Sequence, residues 1–287
     1  MTELEAQAAS AVIRRGRASG FRRIGVAEGL SAAFLAFLLL AALAPDLISP
    51  LDPLGIDPAN AFEPPSFGQV LGTDESGRSI FSRVVHGAGT SLLIGVAAST
   101  IGLGLGTILG VLAGSGGRIV DFGVSRFLEV LFALPGLLLA LFLIVIVGPG
   151  ALTTTLAVGL STAPGYARII RSQLITVRGS AYVEAATVLG LGRMRILARH
   201  VLPNTLAPLF ALGTLGVGQA IVWASALSYL GLGAVPPSPE WGAMLAAGRT
   251  YLSTAWWMSV FPGLFIVLTA ICATVLGRAA GNRTRRR

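Results

Sequence analysis

The chain has 287 residues, 54% of them hydrophobic and only 12% charged, with a mean hydropathy of +0.78. That is too apolar for an ordinary soluble chain of this size and reads as an all-α integral membrane protein. All 21 basic residues are arginine and none is lysine, which excludes a P-loop phosphate clamp, a kinase-type ATP lysine and a Schiff base.

A helix that crosses the hydrocarbon needs about 20 largely apolar residues. Six stretches meet that length, at 24–44, 89–113, 122–147, 151–170, 205–231 and 256–277. Residues 1–23 precede them as a tail bearing Arg14, Arg15, Arg17, Arg22 and Arg23. The first span ends in Ala42-Leu43-Ala44, which looks like a signal-peptidase site. Its apolar run exceeds the roughly 7–15 residues of a signal peptide, and Pro45 would follow the cut, so it reads as a retained anchor. Residues 45–88 form the one long outer connection, with Pro45, Pro50, Pro53, Pro58, Pro64 and Pro65 among acidic residues. Such Asp-Pro and Pro-Pro steps favour extended and turn geometry, which predicts a cap without a core of its own.

Residues 89–277 form a predicted five-helix core. Its first helix carries Gly102, Gly106, Gly110 and Gly114, one every four residues, so that one face lacks side chains and another backbone can approach closely. Pro135-Gly136, Pro164-Gly165 and Pro262-Gly263 interrupt the hydrogen bonding of three later spans, which predicts kinks. Arg126 and Glu129, three residues apart, neutralise each other at the edge of the third span. No carboxylate lies deeper, which disfavours proton-coupled transport.

Residues 171–204 join the fourth and fifth spans and are too long for a simple connector. They read as a short helix around Tyr182-Val183-Glu184-Ala185-Ala186, a turn at Gly190 to Gly192, and a basic helix with Arg193, Arg195, Arg199 and His200. Leu202-Pro203 marks the start of the next span. Ala185 and Ala186 offer small methyls to a partner surface, and Gly190 can adopt backbone angles closed to other residues. The chain closes on a basic tail, 278–287.

With the N-terminus inside, eighteen of the 21 arginines lie on the cytoplasmic face and only Arg78, Arg83 and Arg249 lie outside. The reverse topology would violate the positive-inside rule, so both termini are expected in the cytoplasm. The basic charge then reflects orientation and contact with anionic lipid, and nucleic acid is not needed to explain it. The lone Cys272 and the separated His86 and His200 offer neither a disulfide, a metal site nor a nucleophile relay.

Several segments carry a specific resemblance. Glu184-Ala185-Ala186, then Gly190, then Leu202-Pro203 resembles the EAA loop of bacterial ABC-importer permeases, and Arg199-His200-Val201-Leu202-Pro203-Asn204 is similar to the dipeptide/oligopeptide/nickel branch. Gly72-Thr73-Asp74-Glu75-Ser76-Gly77-Arg78 with Ser82-Arg83 resembles that branch's outer signature. Gly148-Pro149-Gly150, Pro164 to Arg168, Ser228 to Gly233 and Pro236 to Gly242 resemble its later blocks. The pattern departs at Ser79, where the branch usually has aspartate, at Gly89, where it has arginine, and in the basic tail.

The resemblance implies a type I permease fold with six transmembrane helices in the bacterial cytoplasmic membrane. It implies a homologous second permease, two ATP-binding subunits that carry ATP and Mg, and an extracytoplasmic substrate-binding protein. The expected cargo is a peptide or a related solute such as glutathione or a nickel complex, with no catalytic residue, metal or cofactor in this chain. The rival reading is an ion-coupled carrier or channel, which would be expected to show an inverted repeat and mid-membrane carboxylates. A membrane enzyme would need a clustered polar constellation near one interface. Neither pattern is evident.

Overall fold

A computed structural model of the protein describes residues 25–206 and 209–284. The N-terminal basic tail, 1–23, lies outside the described residues, whereas the expected C-terminal tail is described as far as Thr284, where it continues the last helix. Within them the chain is helical, with an isolated antiparallel bridge between Thr73 and Ser79 and no longer strand.

The first helix, α1 (Val26–Leu43), is followed by a short α2 (Pro45–Ile48) and an irregular outer segment. Helix α3 (Ile80–Ser115) is 36 residues long and begins well before the expected start at residue 89. Ser79 sets that start, its hydroxyl accepting the amide of Ser82 at the N-cap. The expected third span is two helices, α4 (Gly117–Phe132) and α5 (Gly136–Val147), bent by 86° across Ala133 to Pro135. Pro135 has no amide hydrogen and takes an extended ψ of 133°, so the helix ends before it and restarts after it. Helix α6 (Ala151–Arg178) and helix α12 (Trp257–Thr284) run unbroken through Pro164 and Pro262.

Between them lie the loop helices α7 (Ala181–Val188), α8 (Arg193–Ile196) and α9 (Leu202–Leu206), then α10 (Leu209–Tyr229) and α11 (Trp241–Gly248). Among the described residues four helices are long and apolar enough to cross a membrane: α1, α3, α10 and α12. The bent α4–α5 pair makes a fifth if it is one span. The expected fourth span, at 151–170, lies in α6, which is long enough but falls short in apolarity. The reason is its position: α6 packs along α3, α5 and α10, so much of its surface meets protein rather than lipid.

Three buried clusters hold these helices together. Leu38, Ile80, Val84, Val85, Trp241, Met258 and Ile266 join α1, α3, α11 and α12. Ile94, Ala98, Ala140, Ile144, Val158, Ala224 and Leu227 join α3, α5, α6 and α10. Leu174, Val183, Ala186, Ile196 and Val201 tie the loop helices to the end of α6.

Candidate functional site

The loop after α6 is built with two faces. Val183 and Ala186, one turn apart on α7, are 6% and 5% exposed and pack on Leu174, Ile196 and Val201. Val111 of α3 and Val177 of α6 border the same cluster, so the loop is seated on the ends of two core helices. The opposite face presents Tyr182, Glu184, Ala185, Val188 and Leu189, the last two 83% and 82% exposed. Ala186 therefore belongs to the anchor, and of the two alanines only Ala185 is open to a partner. Glu184 lies in the first turn of α7, where a carboxylate complements the helix dipole, and its side chain has no hydrogen bond or ion pair among the described residues.

Helix α7 ends in a Schellman turn. The amide of Leu191 reaches Ala186 O at 3.2 Å and that of Gly190 reaches Thr187 O at 3.0 Å, with Gly190 at φ +78°. Beyond it, Arg193 and Arg195 on α8, and Arg199, are exposed, while His200 is half-buried. In place of one continuous basic helix, α8 passes into a π-helical turn, Leu197–Val201. Pro203 explains the widening, because it cannot donate to the carbonyl of Arg199 and its ring crowds that oxygen. Leu202 packs on the buried cluster and Pro203 is exposed.

Helix α6 leads into this loop and is tied to its neighbours along its length. A Cβ added to Gly102, Gly106 or Gly110 of α3 would lie 2.9, 2.8 or 2.7 Å from the carbonyl oxygens of Gly159, Ala163 and Ala167, and one on Gly114 would lie 2.9 Å from Leu174. The glycine face of α3 is thus in backbone contact with α6 within the same chain. Arg171 donates to both carboxylate oxygens of Asp121 on α4, at 2.5 and 2.7 Å, and Arg178 donates to Gly114 O at 2.7 Å. The loop is therefore mounted on a braced unit of α3, α4 and α6. Asp121 and Arg171 carry that bracing although neither stands out in the sequence; the more visible pair, Arg126 and Glu129, joins at 2.6 Å on an exposed helix face.

The outer signature is an organiser of the opposite end. Asp74 is 4% exposed, and its Oδ1 accepts the amides of Ser76 and Arg78 at 2.8 and 2.9 Å. Its Oδ2 lies 3.6 Å from Arg83 and 3.8 Å from Arg78. Arg83 also donates to Pro237 O at 3.3 Å, and the Ser82 hydroxyl donates to Leu51 O at 2.5 Å. Gly72 and Gly77 have φ of +76°, and a Cβ on either would strike the carbonyl of Glu63 or of Asp57. Trp257 Nε1 donates to Thr73 O at 3.0 Å, welding the segment to α12. Glu240, buried, caps α11 by accepting the amides of Gly242 and Ala243 at 2.7 and 2.8 Å.

Residues 106–286 match the family described as binding-protein-dependent transport system inner membrane component. The chain is 40% identical to the di/tripeptide transport system permease protein of Pseudomonas aeruginosa, over 85% of this chain and 82% of that one. It is 39% identical to the dipeptide transport system permease protein of Alkalihalophilus pseudofirmus, over 84% and 79%. It is 36% identical to the glutathione transport system permease protein of Pectobacterium atrosepticum, over 89% and 84%. Among solved structures, the inward-facing MetNI methionine ABC transporter aligns with a TM-score of 0.57 at 19% identity, over 70% of this chain and 95% of that one. An amino acid ABC transporter crystallised with histidines gives 0.57 at 15%, over 70% and 94%; both show the fold.

The fold is that of a type I ABC-importer permease, and ATP hydrolysis in such systems resides on separate subunits. The chain belongs to the binding-protein-dependent transport system inner membrane components, as a multi-pass permease subunit of an ABC importer.

Proposed function

We propose that this chain pairs with a homologous permease, two ATP-binding subunits and an extracytoplasmic binding protein to import peptides across the bacterial inner membrane, with both termini in the cytoplasm. The observation that carries the reading is the two-faced build of α7. One face is fixed to the ends of α3 and α6, and the other leaves Tyr182, Ala185, Val188 and Leu189 open to solvent. Large apolar side chains on a short, exposed, anchored helix mark an interaction surface. A partner that grips them moves α6 with them, because the anchor, the glycine contact and the Asp121–Arg171 pair leave little slack. Closure of ATP-bound partners then rocks this braced unit and alternates access.

The arginine distribution supports placing α7 in the cytoplasm. Peptide cargo is supported by the relatives named for di/tripeptide, dipeptide and glutathione transport, all substrates that contain peptide bonds. The ATP and Mg belong to the partner chains. Affinity purification in mild detergent tests the reading: the wild type is expected to bring down a second permease and ATPase subunits, and Glu184→Arg is expected to lose the ATPases while keeping the permease. A chain that purifies alone and moves solute without ATP would instead be a carrier.

A further inference from the structure

The bend between α4 and α5 opens a cavity of about 240 Å³ against α6 and α10. Its wall includes Gly136, Ser161, Thr162, Tyr166, Gln219 and Trp223. Gln219 is the only amide side chain of α10, ten residues from either end of a helix apolar enough to cross a membrane. It is exposed and has no hydrogen-bond partner among the described residues. The other polar groups of the wall are engaged: Ser161 and Thr162 donate to the carbonyls of Val158 and Gly159, and the Tyr166 hydroxyl bonds to Ser99.

An unpaired amide at that depth is strongly disfavoured against lipid. Broken helical backbone within a membrane-spanning pair, as at Ala133 to Pro135, persists only where protein buries it or a water-filled cavity meets it. Both observations place water or polar cargo, and not hydrocarbon, beside Gln219. The wall contains no aspartate, glutamate, arginine or histidine, so it suits a neutral hydrogen-bonding group. The cavity is smaller than the roughly 300–1,000 Å³ of a complete small-molecule site, as one half of a path closed by a second chain would be.

We infer that this cavity is the chain's share of the translocation path and that Gln219 is the residue that hydrogen-bonds the amide groups of a peptide passing through it. The inference rests on the importer reading above.

Cys272 is the only cysteine in the chain, so Gln219→Cys can be examined in a Cys272→Ser background, in the assembled transporter in lipid nanodiscs. Ile271→Cys is the matched control: Ile271 is exposed on α12, and its neighbour Ala270 meets Gly218, which puts it near the depth of Gln219. With the water-soluble reagent methanethiosulfonate ethyltrimethylammonium, Gln219→Cys is expected to react about tenfold faster than Ile271→Cys, because the reactive thiolate forms in water and not in hydrocarbon. The rate is also expected to change when ATP and vanadate are added. Equal, slow labelling of the two positions with and without ATP would overturn the inference.

A second readout is uptake from a mixed tryptic digest into proteoliposomes, followed by mass spectrometry. Gln219→Leu should lower uptake several-fold and Gln219→Asn should keep most of it; a Gln219→Leu protein that matches wild type contradicts the role given to the amide. Wild-type permease that recruits no ATPase, or takes up no peptide, removes the importer reading and this inference together. That result is distinct from an unreactive Gln219→Cys in a working transporter.

Discussion

Gly190 shows how much one residue settles at the loop. Its φ of +78° closes the Schellman turn that ends α7 and aims the chain into α8, and open space surrounds the position. A substitution there acts through backbone strain and not through collision. Gly190→Val is expected to cost about 1–3 kcal/mol locally and to weaken ATPase co-purification, while the thermal unfolding of the membrane helices stays near wild type; unchanged ATPase recovery would contradict this. Ser79 makes a complementary point. The resemblance leads to an expectation of aspartate here, and the Ser79 hydroxyl accepts an amide at the N-cap of α3 as a capping residue does.

At the scale of elements, the contact between α3 and α6 is the most extensive between helices among the described residues. Gly106 faces Ala163 O and Tyr166 at 2.8 and 2.5 Å from a virtual Cβ, whereas Gly104, half a turn away on the same helix, has nothing within 4 Å. Gly106→Val is therefore expected to destabilise the detergent-solubilised protein by about 1–3 kcal/mol, and Gly104→Val to leave its melting temperature close to wild type. Equal melting temperatures for the two variants would show that the contact is not tight. The Asp121–Arg171 pair predicts a charge-swap result: Asp121→Arg alone and Arg171→Asp alone should each lower ATP-driven uptake, and the double swap should restore much of it. A double variant no better than the single ones would remove the pair from the coupling route.

The glycine spacing makes a close contact legible in the sequence, but not its partner, because four glycines describe one surface and say nothing of the other. Hydropathy locates α1, α3, α10 and α12 because lipid contact demands apolar side chains. The expected span at 151–170 falls on α6, which is less apolar than these four because much of its surface meets other helices. Pro135 signals an interruption, yet its 86° angle depends on the tertiary seat of α4 against α6.

For the whole molecule, the structure describes two ends joined by a braced bundle. At one end Asp74, Arg83 and Trp257 lock the outer segment onto α3 and α12 through buried hydrogen bonds and ion pairs, while Glu240 caps α11. At the other end α7 rides on α3 and α6 with its apolar outer face uncovered. The sequence motif at each end is visible without coordinates. The division of labour within the motif is not, since Ala185 and Ala186 are identical residues that only packing distinguishes.

Under the proposed function, force from ATP-binding partners enters through the open face of α7. The most direct measurement attaches a benzophenone maleimide to Ala185→Cys in the Cys272→Ser background and irradiates the assembled transporter with and without ATP. A covalent adduct between this chain and an ATPase subunit is expected, with a yield that changes on ATP binding. Adducts formed only with lipid or with the second permease, while uptake remains ATP-driven, would contradict it.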